Sequence, residues 1–166
     1  MRTEQGESLI HELQITQQQI SGLLASVAHD QDWQPAPDQW SFRYIAAHLA
    51  ACAKECVQER IRLIAAGDNP HFEYYWNTGR DFSHLELTNS LREWVATRQA
   101  IFDFVHALPE DKLALTGRHK TFGQITVLDY LQVDLDHDQE HFRDLEAMLV
   151  AYRKSKADTG DNQGAA

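Results

Sequence analysis

The stretch Asp136-His137-Asp138-Gln139-Glu140-His141 lies inside a longer run, Thr126 to Arg153, whose periodicity decides the fold. Leu128, Leu131, Leu135, Phe142, Leu145, Leu149 and Tyr152 fall on one apolar stripe at helical spacing. Thr126 offers an N-cap, and Asp129 puts a carboxylate at the third helical position, where the helix dipole favours it. His137 and His141 stand one turn apart and flank the stripe together with Tyr130 and Asp134, so both imidazoles face the rim of a core. At that spacing two ring nitrogens can point at one metal ion. Two ligands do not make a useful site, and the function turns on whether another segment supplies a third.

Working outward, three more helices precede this one. Ser83-His84-Leu85-Glu86 reads as a capping box opening a helix whose apolar side is Leu87, Leu91, Trp94, Val95, Ile101, Phe102 and Val105, ended by Leu108-Pro109. Before it, Ser41 is an N-cap for a helix reaching Ala66 and stopped by Gly67-Asp68-Asn69-Pro70. Ile45, Leu49, Cys52 and Cys56 form its apolar row, and His48 lies beside that row. The first helix spans about Glu7 to Ala28, with Leu9, Leu13, Thr16, Ile20, Leu23 and Val27 on one side. His71 to Phe82 is an aromatic connection, and Thr116 to Gly123 a polar loop. No segment alternates with the period of a strand. The spacing predicts an all-α protein, a four-helix bundle occupying residues 1–154, followed by a disordered polar tail at 155–166.

Composition narrows the function. The chain has 166 residues and a formal net charge of −10, from 25 acidic and 15 basic side chains. With no basic stripe to neutralise phosphates, nucleic acid is excluded as a partner. No apolar run approaches a membrane span, and Met1 to Glu7 carries no signal-peptide core. A cytoplasmic location is the default expectation. Cys52 and Cys56, four apart on a helix, suit free thiols better than a disulfide.

The segments Trp33-Gln34-Pro35-Ala36-Pro37, Trp40-Ser41 and Ala47-His48-Leu49, followed by Arg98, Leu108-Pro109 and His137-Asp138 with His141, resemble the DinB-like family of bacterial four-helix bundles. That family includes metal-dependent thiol transferases such as the bacillithiol transferases and the mycothiol-dependent isomerases. The resemblance covers about Glu7 to Val150 and implies a bundle of DinB/YfiT-like type. It also implies a divalent metal, nickel or zinc, held by His48, His137 and His141. Glu140 stands where members often carry a further histidine, which alters the charge near the metal but leaves the trio intact. Three imidazoles with an open position are the pattern of a catalytic site. Such a metal acidifies a bound water or thiol.

The expectation is therefore an enzyme, a thiol S-transferase or a hydrolase, acting on a small molecule with a low-molecular-weight thiol or water as nucleophile. A bundle of this kind is expected to pair as a homodimer. The rival is a non-catalytic dimeric binding protein with a vestigial metal site. Di-iron and haemerythrin-like bundles need further ligands that the sequence does not supply.

Around the trio, Asp138 falls within the apolar stripe, where a bare carboxylate is costly. A structural bond, to a helix end or to an arginine such as Arg98, is favoured over a role orienting a neighbouring group. Asp134 is the more accessible candidate for proton transfer. Cys52 reads as a small core residue, Glu55 as a solvated carboxylate, and His71, His84, His106 and His119 as surface or loop residues.

Overall fold

The computed structural model describes residues 4–161, and four long helical rods make up most of it. The first is α1 (Glu4–Ser26), followed by a 3-10 turn (Ala28–Asp30). The second is one continuous rod in three parts: α2 (Phe42–Ala51), a π-helical segment (Cys52–Gln58) and α3 (Glu59–Ala66). The third is α4 (Leu87–Ala107), and after a single turn, α5 (Glu110–Leu113), the fourth is α6 (Val127–Asp161). α1 packs along α6 and α2 along α4. Among the described residues no helix is long and apolar enough to cross a membrane.

Local chemistry sets several boundaries as expected. The Tyr44 N–H donates to Ser41 Oγ at 3.2 Å, and Gly67, at φ 94°, takes the left-handed conformation that ends α3. Thr126 and Asp129 form a reciprocal box at the start of α6. The Asp129 N–H donates to Thr126 Oγ1 at 3.1 Å, and the Thr126 N–H to Asp129 Oδ2 at 2.9 Å.

Four features differ from the sequence reading. The box expected at Ser83 does not form. The Ser83 N–H donates to Asp81 Oδ1, and α4 starts only at Leu87, whose N–H donates to Gln31 Oε1 of the loop after α1. Val95, placed on the apolar side of α4, is exposed. α6 runs through 155–161, the first part of the expected polar tail. Lys and Ala are good helix formers, and the Lys156 ammonium, 2.8 Å from Asp30, anchors this last part of the helix. Residues 162–166 lie outside the described residues.

The fourth difference is a small sheet, where no strand was expected. β1 (His71–Phe72), β2 (Thr116–His119) and β3 (Gly123–Thr126) pair in that order. β1 runs parallel to β2 with His71 opposite Arg118, and β2 antiparallel to β3 with Gly117 opposite Ile125. The hairpin turns through three residues into Gly123 at φ 73°, a common three-residue hairpin loop. Gly117 lets the strand lie against the bundle, since a Cβ there would stand 2.9 Å from Phe72 Cε2 and 3.1 Å from the Pro70 carbonyl oxygen.

The apolar core is split into two clusters. One is built around Leu13, Ile61, Phe102 and Leu131, the other around Ile20, Phe42, Trp94 and Leu145. Between them, α1 contributes Gln17, α4 Arg98 and α6 Asp134 and Asp138, all buried. His48 and Cys52 lie at the corresponding level of the second rod. The candidate site is one edge of this polar layer.

Candidate metal centre

The Nε2 atoms of His48, His137 and His141 form a nearly equilateral triangle. His48 lies 3.1 Å from His137 and 3.2 Å from His141, and the other two are 3.1 Å apart. An ion about 2.0–2.1 Å from each nitrogen requires separations of about 2.9 Å at right angles and about 3.4 Å at tetrahedral angles. The observed spacing falls inside that window, and the trio could hold a metal ion.

The donor chemistry fits as well. Burial, reinforced by the neighbouring His137, pulls His48 down to about 4 and His141 down to about 3, so both are neutral imidazoles, the ligating form. The tautomer of His48 is fixed. Asn77 Oδ1 lies 2.6 Å from its Nδ1 and accepts that proton, leaving Nε2 as a bare lone pair facing the trio. Asn77 is itself oriented, its amide donating to Tyr75 Oη at 3.4 Å and Cys52 Sγ at 3.6 Å. Tyr75 in turn donates to Glu55, which Arg80 pairs at 2.8 Å. Glu55 is exposed, as read from the sequence, and its carboxylate is tied into this relay.

Nothing in the sequence pointed to Asn77, which lies in the aromatic connection, far in the chain from His48. Removing its carbonyl should let the His48 ring turn. We expect Asn77→Ala to weaken metal affinity by about 10–100-fold, and Asn77→Asp, which keeps an acceptor, to retain most of it. Competition against a chromophoric chelator measures this, and equal affinity in wild type and Asn77→Ala would remove the positioning role.

Asp138 and Asp134 bracket His137 on α6, and Arg98 meets both. Arg98 Nη1 donates to Asp138 Oδ2 at 3.0 Å, and Nη2 to Asp134 Oδ1 at 3.3 Å. The arginine bond favoured for Asp138 is present. The expected accessibility of Asp134 is not, because the guanidinium draws it inward and it is only 3% exposed. Asp138 Oδ1 also lies 3.7 Å from His137 Nδ1, too long for a hydrogen bond. Asp134, His137 and Asp138 form a second group whose ligand atoms could converge on an ion. There the Arg98 guanidinium already supplies the positive charge.

Cys52 Sγ is 3.6 Å from His48 Nε2 but stands outside the trio, and burial pushes its thiol up, away from the thiolate that would ligate. Trp40 covers the site, stacked on His141 at 5.8 Å and tilted on His48 at 4.8 Å.

The trio opens into a cavity of about 450 Å³. One wall is the row His48, Cys52, Cys56 and Arg60. In an α-helix each four-residue step turns the side chain by about 40°, so such a row would wind away from the cavity. The wider turn of the π-helical segment, with its i to i+5 bonding, makes a four-residue step fall short of a full turn and so offsets the drift of the α-helical parts on either side. No apolar periodicity announces such a segment, and the second rod had read as plain α-helix.

The DinB superfamily family model matches residues 12–145. The chain belongs to the DinB superfamily. Among solved structures it is similar to YfiT from Bacillus subtilis, described as a probable metal-dependent hydrolase with an unusual four-helix bundle topology. That likeness has a TM-score of 0.75 at 17% identity, covering 94% of this chain and 90% of YfiT, and it concerns the fold. No curated protein matches the sequence. Within this DinB-superfamily bundle, His48, His137 and His141 meet at one end of the cavity. Asn77, the stacking of Trp40 on two of the rings and the Arg60 end are added by the structure.

Proposed function

We propose that this DinB-superfamily protein is a metal-dependent enzyme in which His48, His137 and His141 hold a divalent ion, nickel or zinc, at the end of the cavity. When bound, such an ion lowers the pKa of a water or thiol and supplies a nucleophile near neutral pH. The nucleophile acts on a small electrophilic molecule lying along the cavity. The observation that carries this reading is the triangle of three Nε2 atoms at 3.1–3.2 Å, opening on a cavity large enough for a substrate.

The chain's own residues do the rest. Asn77 holds the His48 proton on Nδ1, and Trp40 shields two of the rings from water. Arg98 holds the Asp138 carboxylate in place behind His137. The description of YfiT favours water as the nucleophile. The thiol-using members that this sequence resembles favour a low-molecular-weight thiol.

The deciding experiment is elemental analysis of protein purified without a His-tag, followed by two assays on the metal-loaded form. One follows loss of thiol in the presence of an electrophile, the other hydrolysis of an activated ester or amide. Nickel or zinc near one equivalent per chain, with turnover lost on chelation, is expected. Metal-free protein that takes up none on dialysis would sink the reading.

A further inference from the structure

We propose that the end of the cavity away from the histidine trio is an anion seat, formed by Arg60, His119 and Tyr130, which takes the carboxylate of an elongated small molecule. That the same molecule reaches the metal with its other end rests on the function proposed above; the seat itself does not.

His119, read from the sequence as a surface or loop residue, is buried in β2, and its contacts fix its tautomer. Its Nδ1 accepts from the backbone N–H groups of Thr121 at 3.1 Å and Phe122 at 3.4 Å. A nitrogen that accepts two N–H groups carries no proton, so the neutral ring carries its hydrogen on Nε2. Burial and the adjacent Arg60 charge lower the pKa of His119 and keep the ring neutral. Arg60 Nη1, a donor only, lies 3.2 Å from that Nε2. Two N–H groups pointed at one another repel, and an anionic oxygen accepting from both converts the repulsion into two charge-assisted bonds.

The neighbouring groups support the same ligand. Arg60 Nη1 also donates to Tyr130 Oη at 2.7 Å, so the phenol hydrogen points elsewhere, toward Cys56 Sγ at 3.5 Å or toward a ligand. The guanidinium is held in place by its Nη2 bond to the Glu73 carbonyl oxygen at 2.8 Å and by the Phe72 ring, 5.1 Å from its centre. The Glu73 carboxylate is occupied by Lys120 at 2.9 Å.

Charge along the cavity gives the ligand a direction. On α6, Asp136, Glu140 and Asp144 line it around the metal end, where they disfavour an anion, while Arg60 is the cation at the other end. Val57, Val133, Trp76 and Phe122, the last packed on the His119 ring at 4.5 Å, give the cavity apolar walls suited to a methylene chain. Tyr130 and His137 are seven residues apart on one helix, about 10 Å along its axis. A medium-chain carboxylate spans that distance.

Sodium octanoate and 1-octanol are the probes, titrated into chelator-treated and metal-loaded wild type and into Arg60→Gln, with circular dichroism checking the fold of the variant. Octanoate should bind both wild-type forms, and Arg60→Gln should weaken it by about 10–100-fold while leaving octanol unchanged. On wild type alone, long-range ¹⁵N NMR should find His119 protonated on Nε2 and shifted there by octanoate. Octanoate binding equally to a folded Arg60→Gln protein, octanol matching octanoate in wild type, or a His119 protonated on Nδ1 would each overturn the seat. The two proposals fail separately. Octanoate binding that depends on Arg60 in a protein that takes up no metal keeps the seat and discards the metal reading. Metal uptake with octanoate indifferent to Arg60 does the reverse.

Discussion

Replacing His137 by alanine is expected to abolish stoichiometric uptake of nickel or zinc and to leave the helical circular dichroism spectrum unchanged. His137 is half-buried at the rim of the core, so truncating it opens no large cavity in either apolar cluster. Its removal leaves His48 and His141 as a two-nitrogen site. The loss should exceed the roughly 10–100-fold that follows from disturbing a group that only orients a ligand. A second variant identifies the set of ligands. His137 belongs both to the histidine trio and to the group with Asp134 and Asp138, whereas His48 belongs to the trio alone. His48→Ala should therefore lose metal to the same extent. If His137→Ala loses the ion and His48→Ala keeps it, the carboxylate group is the site. If His137→Ala still binds one equivalent, neither group is. Isothermal titration and elemental analysis of both variants give the answer.

The parts of this site readable in the sequence are those governed by helical period. His137 and His141 share a face because they are four apart, and the stripe from Leu128 to Tyr152 places that face beside the core. The same arithmetic put Asp138 inside the stripe and so called for a cation, which Arg98 supplies. Asp134, four residues before Asp138, lies on the same face. Nothing in one helix shows that a guanidinium from α4 will draw both carboxylates inward.

What the sequence hid is what depends on contact between elements with no shared period. Asn77 reaches His48 from a turn, and Arg60, His119 and Tyr130 meet from α3, β2 and α6. The hairpin that buries His119 has strands of four residues, too short for alternation to stand out. Thr116 to Gly123 reads as polar because its buried positions in β2 are a glycine and a histidine. The π-helical segment leaves Ile45, Leu49, Cys52 and Cys56 looking like an ordinary α-helical row, yet it governs whether Arg60 faces the same cavity as His48.

Arg98 carries the second large effect, and its sign changes with its partners. In metal-free protein at neutral pH we expect Arg98→Met to cost roughly 3–5 kcal/mol, the usual consequence of removing one member of a buried ion pair. Guanidinium and both carboxylates are almost wholly inaccessible, so solvent screens none of these charges. In the wild type, burial pushes Asp134 up, against Arg98 and with the Asp138 charge. Burial works to raise Asp138 as well, but the Arg98 guanidinium and His137 outweigh it and hold that carboxyl below its ordinary range. Without Arg98, both carboxyls are left in the core with their folded pKa values above the unfolded ones. Over the pH interval between the two, the unfolded chain releases protons that the folded chain retains, so stability falls as pH rises. Wild-type Asp138 behaves oppositely, contributing stability above the ordinary carboxyl pKa of 3.8 that is lost as pH falls. The cost of Arg98→Met should therefore be larger at pH 7 than at pH 4, measured by urea denaturation at both. A cost independent of pH would mean that the arginine acts by filling space beside Trp94, whose ring lies 5.6 Å from its guanidinium carbon. The triple replacement Arg98→Met, Asp134→Leu, Asp138→Leu tests the same point without titration. If charge is the cause, it should recover most of the lost stability, because the core no longer holds an unpaired carboxylate.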